Sequence, residues 1–433
     1  MIKVAVTAAA LVTIFIVLSW QSLSEQESQL VTHTNTTRPS PRVLHYNRHL
    51  GAQAEMRHVA SRLGISVSSM DPASVSDYGI DAAASDSLVE NGFVAELCAR
   101  TDAVVVSDTV PDARPFLHSL LHSNASLRCS AALIIHATNR FDYMREDEDF
   151  HRLIWTVTNH PTASKHVFWV ANNPLEPMDM ARTSLALPKW RLLRSTGFSD
   201  LEAKMAFAQP VAKKDAALAL YKPHETGMDA LAAIQKLEIP FKRVEHDYGG
   251  PKTAALHAAF IEIPYQVSVM KLYENLANGV VMLVPSKAFF KELVDKKTIN
   301  FLYWRKLVLG GDDWWKYMDY YSDDIAPYLY YFDSWDHLKK ILTSSEIDTK
   351  NVRARAPKAY AALVKESLNG WADIFSEIGF SLLVDGEEPG KGVPVFKSTL
   401  PSGIHAVSSD NVDDWRRVYY GALLDFKKKW RGF

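Results

Sequence analysis

The sequence predicts an α/β protein of two parallel-sheet halves that face a cleft, preceded by a transmembrane helix and a stem. Three observations carry that reading. From Val43 onward short apolar runs alternate with amphipathic helical stretches, the pattern of βαβ units. A second series of the same kind starts near Ala216. The first 20 residues hold one long apolar run. Composition agrees: 433 residues suggest two or three domains. At 47% hydrophobic and 23% charged, the chain is not disordered, collagen-like or polytopic. A net charge of −2 leaves no general basic field for nucleic acid. Two cysteines exclude a disulfide-rich scaffold and a four-thiolate zinc site.

The elements follow in order. Val4–Trp20 is an uncharged run of 17 residues, about 26 Å as a helix and close to a thin bilayer core. Lys3 precedes it and Glu25 and Glu27 follow it. The positive-inside rule therefore puts the remainder of the chain in the lumen, as a single-pass type II protein of the Golgi or ER. The run's length favours an uncleaved signal anchor (1–20) over a cleaved signal peptide. Residues 21–41 are polar and aperiodic, a stem. The sequons at Asn35 and Asn124 fit secretion and glycosylation.

The first half, 42–208, opens with strand Val43–Tyr46 and helix Ala52–Leu63, which Gly64 caps. Strands are expected at Ala103–Ser107, Ala131–Thr138, His166–Ala171 and Arg191–Ser195. Gln209–Asp215 reads as a hinge. The second half, 209–385, holds strand Ala216–Tyr221, helix Glu225–Leu237, and strands Phe241–Glu245 and Ala259–Ile263. A helix ending at Asn278 with Gly279 as cap and strand Val280–Val284 come next. Residues 335–380 read as helical, with Ser334 as an N-cap. Residues 386–433 form a tail with a final helix at Asn411–Lys429. If strands 103–107 and 131–138 are neighbours, Cys98 and Cys129 lie at one pole and the oxidising lumen joins them. Two separate buried thiols are the alternative.

Parallel sheets bind ligands at the carboxyl ends of their strands. Three loops of the first half converge there: Asn47–Gly51, Asp108–Arg114 and Asn139–Asp142. They make His49, Asp108 and Arg140 the candidates for the reaction centre or acceptor side. His49 or Asp108 would be the base if the chemistry needs one. Asp147-Glu148-Asp149 has the look of an Asp-any-Asp metal signature, but an acidic helix start explains it. No hydrolase elbow, dinucleotide fingerprint or His-based metal spacing occurs. The aromatic stretch Trp314–Phe332 reads as packing more than as a sugar-stacking surface.

The segment Tyr265–Ser286, YQVSVMKLYENLANGVVMLVPS, resembles a motif of GT-B glycosyltransferases, the retaining group with Glu, seven residues, Glu. Glu274-Asn275-Leu276-Ala277-Asn278-Gly279 follows the second half of that motif, and Gln266 stands where the first Glu is expected. The resemblance implies two Rossmann-like domains, the first on the acceptor side and the second binding a nucleotide-sugar donor. It implies sugar transfer to a glycan or glycoprotein, with charge stabilisation of the leaving diphosphate and no required metal. Glu274 would accept both ribose hydroxyls, as a carboxylate can. Gln266 would hold the donated sugar, and Ser268 with the helix-start amides would face the diphosphate. The family's phosphate-pairing Arg and Lys fall at Tyr221 and Thr226 here. Lys222, Arg194 or Arg140 would have to substitute. Asn139-Arg140-Phe141-Asp142-Tyr143 resembles a stretch of eukaryotic predicted glycosyltransferases. The changed Gln266 and the missing phosphate pair leave a second expectation, a lumenal carbohydrate-binding protein with a degenerate GT-B fold.

Overall fold

The structure, a computed structural model, describes residues 41–76, 79–138, 141, 146–184, 186, 188–197, 213–220, 228–239, 241–244, 249–299, 314–344, 347–380, 382, 395–396 and 411–430. The expected anchor and stem, with Asn35, lie outside the described residues, as do Arg140 and Lys222. Among the described residues no helix is long and apolar enough to cross a membrane.

The first half runs β1 (Arg42–Tyr46), α1 (Leu50–Leu63), β2 (Ser66–Met70), α2 (Ala82–Glu90), α3 (Phe93–Ala99), β3 (Ala103–Ser107), α4 (Arg114–Leu121), β4 (Ala132–Ala137), α5 (Glu148–Asn159), β5 (Val167–Ala171), α6 (Leu175–Thr183) and β6 (Trp190–Leu192). The strands pair in the order β2-β1-β3-β4-β5-β6, all parallel. Covering both faces with helices requires central strands that are apolar throughout. Ala103-Val104-Val105-Val106-Ser107 meets this, with all five residues buried. Gly64 ends α1 in the left-handed conformation, φ 67°. Cys98 and Cys129 form a disulfide with Cα atoms 5.2 Å apart. It joins the end of α3 to the segment entering β4.

The second half runs β7 (Lys213–Leu220), α7 (Met228–Gln235), β8 (Phe241–Val244), α8 (Gly250–Ala254), β9 (His257–Ile261), α9 (Met270–Ala277), β10 (Met282–Pro285), α10 (Lys287–Asp295), β11 (Tyr330–Phe332) and α11 (Trp335–Thr343). Its five strands, also parallel, pair in the order β8-β7-β9-β10-β11. Both sheets thus reverse their order beside their first strand. In such a sheet that point opens a crevice at the carboxyl ends.

Two differences from the sequence reading have physical causes, and the aromatic stretch packs as expected while adding a strand. β2 is an edge strand of sequence SVSSM, too polar to show as an apolar run, and it pairs with β1 alone. The expected hinge overlaps β7, since Lys213–Asp215 already lie in the strand. In the aromatic stretch, Trp314, Tyr320, Tyr321 and Phe332 are buried in the second core, and Tyr330–Phe332 form β11.

Three more elements follow among the described residues: α12 (Thr349–Ile378), β12 (Val395–Phe396) and α13 (Val412–Trp430). α12 binds both halves. Val352, Ala356 and Leu363 pack in the second core, whereas Val364, Leu368, Trp371 and Phe375 pack in the first. β12 adds antiparallel to β6. α13 docks on the first half, with the Trp415 indole N–H donating to the Ser184 carbonyl at 3.1 Å.

Candidate active site at the seam between the halves

The loop after β1 is built around Asn47, which is fully buried. Its amide donates to the Ser107 carbonyl at 2.7 Å, and its oxygen accepts from the His49 N–H. That fixes His49 as the N-cap of α1, where Nδ1 accepts from the Ala52 N–H at 3.2 Å. A neutral His49 in this role carries its proton on Nε2. Nδ1 is thus occupied by the cap, and Nε2 is the nitrogen that can donate to a ligand. Next to it, Arg48 is held by Asp112 through two bonds, at 2.9 and 2.7 Å.

Asp108 follows β3, half-buried, and is one of three described non-glycine residues with positive φ, at 67°. A left-handed aspartate is tolerated but costs energy, and such strain concentrates at functional sites. Its carboxylate accepts weakly from Thr109 and Thr138, at 3.4 and 3.5 Å. Of the two expected bases, Asp108 takes no part in a helix cap.

The loop after β5 was not singled out in the sequence, although Asn172-Asn173-Pro174 is a turn signal. Asn173 caps the turn through the Leu175 N–H at 2.9 Å. Glu176 is buried and accepts from the Phe141 N–H at 2.9 Å. It therefore anchors Phe141, the described residue of the expected Asn139–Asp142 loop. Leu175 itself enters the second core, so this loop also touches the other half.

On the second half, β9 leads through Glu262–Val269 into α9. Glu262 is buried, pairs with Lys271 at 2.6 Å and accepts from the Tyr320 hydroxyl at 3.2 Å. Lys271 also lies 5.0 Å from the Phe260 ring centre. Gln266 is half-buried in the bend before α9. Ser268 is fully buried beside the Asp319 carboxylate. Its hydroxyl is thereby turned inward, away from the expected diphosphate role. Glu274 is half-buried on α9.

Arg194 also departs from expectation. Its guanidinium bridges the halves, bonded to Asp319 and lying 3.5 Å from Asp324 and from the Tyr273 hydroxyl. Tyr273 donates to the other Asp319 oxygen at 2.5 Å. Burial works against the Arg194 charge, but Asp319, Tyr273 and Asp324 together outweigh it and raise the guanidinium's pKa. Arg194 is a strut between the halves and is committed to that task.

Two close approaches bring the expected residues together. A Cβ placed on Gly51 would lie 2.9 Å from the His49 ring and 3.2 Å from the Met270 sulfur. A Cβ on Gly197 would lie 2.7 Å from Cγ of Glu274. The first turn of α1 and the segment leaving β6 therefore both lie against α9. His49 and Glu274 flank one seam, and Asp108 stands at the neighbouring strand end. Asp147, by contrast, is spent as the N-cap of α5 and on Arg114 at 2.6 Å. Glu148 is bonded to Arg416 and Tyr420. Among the described residues no group of three or more His, Cys, Asp or Glu could hold a metal ion. Asn124 is exposed, and its side chain accepts from Ser126.

No protein-family model matches the chain, and no curated protein matches it significantly. Among solved structures, the glycosyltransferase SnogD from Streptomyces nogalater overlaps it at TM-score 0.36 and 12% identity, covering 78% of this chain and 100% of that one. A structure assigned as a UDP-N-acetylglucosamine 2-epimerase from Listeria monocytogenes overlaps at 0.39 and 10%, covering 78% and 98%. A further UDP-N-acetylglucosamine 2-epimerase gives 0.32 and 11%, covering 67% and 94%. Overlaps this loose carry no weight for fold or function, which rest on the chain's own sheets and residues.

Proposed function

We propose that the chain is a GT-B glycosyltransferase that moves a sugar from a nucleotide-sugar donor to a glycan or glycoprotein acceptor. The observation that carries this reading is the seam just described. The helix bearing Glu274 follows the switch-point strand β9 and is approached by the start of α1, at the first half's own switch point, and by the segment leaving β6. A donor on α9 would thus face His49 and Asp108. In this reading Glu274 holds the ribose and Gln266 the donated sugar. The α9 N-terminus contributes backbone amides toward the diphosphate. Asp108 is the acceptor-side base if the reaction inverts.

The test is nucleotide binding. UDP and GDP are titrated calorimetrically into the full-length chain and its Glu274→Gln variant. Losing the charge on a double acceptor should weaken binding by about 1.5–3 kcal/mol, roughly 10- to 150-fold. The melting temperature should barely change. Unchanged affinity in the variant would remove the donor-site assignment.

A second reading, a carbohydrate-binding protein with a degenerate fold, has its own support. Gln266 replaces an acid, Arg194 is consumed by Asp319, and Ser268 is buried beside it. Release of free nucleotide from a panel of nucleotide sugars separates the two, since only the enzyme reading predicts turnover.

We also propose a type II Golgi or ER protein with residues 42–433 in the lumen, on the strength of Lys3, the run Val4–Trp20 and Glu25. Protease added to sealed microsomes should leave the body intact, and glycosidase should shift its mobility. Digestion outside the vesicle reverses the orientation.

A further inference from the structure

Gly197 is buried and left-handed, φ 62°. Any side chain there meets the Glu274 Cγ at 2.7 Å, with the Met270 carbonyl at 3.4 Å and the Glu274 N–H nitrogen at 3.5 Å. The backbone of one half is thus seated on the aliphatic stem of the residue assigned to the ribose.

What holds Gly197 in place is a buried carboxylate from a third element. Glu55 on α1 accepts from the Ser195 hydroxyl at 2.8 Å, the Thr196 hydroxyl at 3.2 Å and the Thr196 N–H. All three bonds end on the same oxygen, Oε1. The Gly197 N–H donates to the Ser195 hydroxyl at 3.3 Å. The Thr196 carbonyl accepts from Tyr360 on α12 at 2.6 Å. Glu55 has no cation in this set. Burial pushes its carboxyl above the ordinary range, and these donors oppose the shift. Holding an acid here costs energy, which a polar turn at the surface would not require.

We infer that Gly197, clamped by Glu55, sets the position of the Glu274 side chain and thereby the affinity of the nucleotide site. Gly197 and Glu55 are positioning residues. Neither touches the nucleotide. The geometry restricts Glu274 from behind, so that the ligand does not have to select one rotamer from several. This rests on the donor-site reading above.

The experiment titrates UDP and GDP into the full-length chain carrying Gly197→Ala, Glu55→Ala, Glu55→Gln or Glu274→Gln. Gly197→Ala and Glu55→Ala should each weaken binding roughly 10- to 100-fold. Glu55→Gln should bind nearly as the natural chain does, because one amide oxygen can accept the three bonds that now end on Oε1. Gly197→Ala placed on Glu274→Gln should weaken binding no further. Gly197→Ala should also lower the melting temperature. Glu274→Ala in the same chain, which deletes the clashing Cγ, should recover much of that loss. If Glu274→Gln binds weakly while Gly197→Ala binds normally, the positioning role is wrong and the donor site stands. If the two losses simply multiply, the role is likewise wrong. If Glu274→Gln binds normally, the donor reading fails and this inference falls with it. Should Gly197→Ala not fold, the two Glu55 variants decide: equal affinity in both would overturn the proposal.

Discussion

Asp319→Ala should destabilise the chain by about 3–5 kcal/mol, the usual cost of removing one partner from a buried ion pair. Asp319 is 2% exposed and its carboxylate accepts from groups on two segments. Arg194 reaches it from the strand-exit of the first half and Tyr273 from α9, and the buried Ser268 lies beside it in the loop before α9. Its own N–H donates to the Val267 carbonyl at 2.9 Å. Deleting the carboxylate leaves a mostly buried guanidinium and the buried Tyr273 hydroxyl without their acceptor. Asp324, 3.5 Å from Arg194 but more exposed, recovers part of the loss and places the effect toward the lower end. The paired replacement Arg194→Met with Asp319→Leu should cost far less than Asp319→Ala, since no charge is then stranded. Urea unfolding of the three chains checks this. A loss below about 1 kcal/mol for Asp319→Ala would mean that the network is a surface-like pair. The same variant loosens the loop that carries Gln266 and Ser268, so nucleotide affinity should fall with stability.

The alternating pattern made the sheets legible because parallel strands must be apolar on both faces. β3 is the clearest case, since its five residues form one buried run and its bounds are those expected. The helix caps Gly64 and Ser334 were equally readable, for local reasons: a left-handed end wants glycine, and an N-cap wants a short acceptor. What escaped was set by contacts between distant residues. Glu55 looks like any polar residue on an amphipathic helix, and only the fold brings Ser195 and Thr196, 140 positions away, onto its carboxylate. Arg194 and Ser268 carry the right chemistry for a phosphate. Asp319 claims the first and lies beside the second, and nothing near either in sequence announces it. Gly197 sits in Arg194-Ser195-Thr196-Gly197, an ordinary loop composition, and its meaning comes from a neighbour on another sheet.

Acidification from pH 7 to 5.5 should remove about 2–3 kcal/mol of stability through two histidines alone. His45 on β1 and His136 on β4 lie buried beneath the candidate site, bridged by the Ser107 hydroxyl at 3.0 and 3.4 Å. Burial lowers both from 6.5 to about 3; for His45 the neighbouring His136 and Arg57 add to it. Among the described residues the second nitrogens, His45 Nδ1 and His136 Nε2, find no acceptor, so a proton added there would be buried unpaired. The sign follows from the unfolded chain, where both rings take protons near pH 6.5. The stabilisation is complete above that pH. It declines as pH falls toward about 3, by about 1.4 kcal/mol per unit for each ring. Glu55 works in the opposite sense, because its raised folded pKa lets the native state take up a proton first. The contribution of the histidines is therefore isolated by difference. Replacing them with non-titrating residues, His45→Gln with His136→Gln, should flatten the dependence of unfolding free energy on pH between 6.5 and 5 by about two protons. If the variant and the natural chain share one slope across that interval, the rings are not held neutral in the fold.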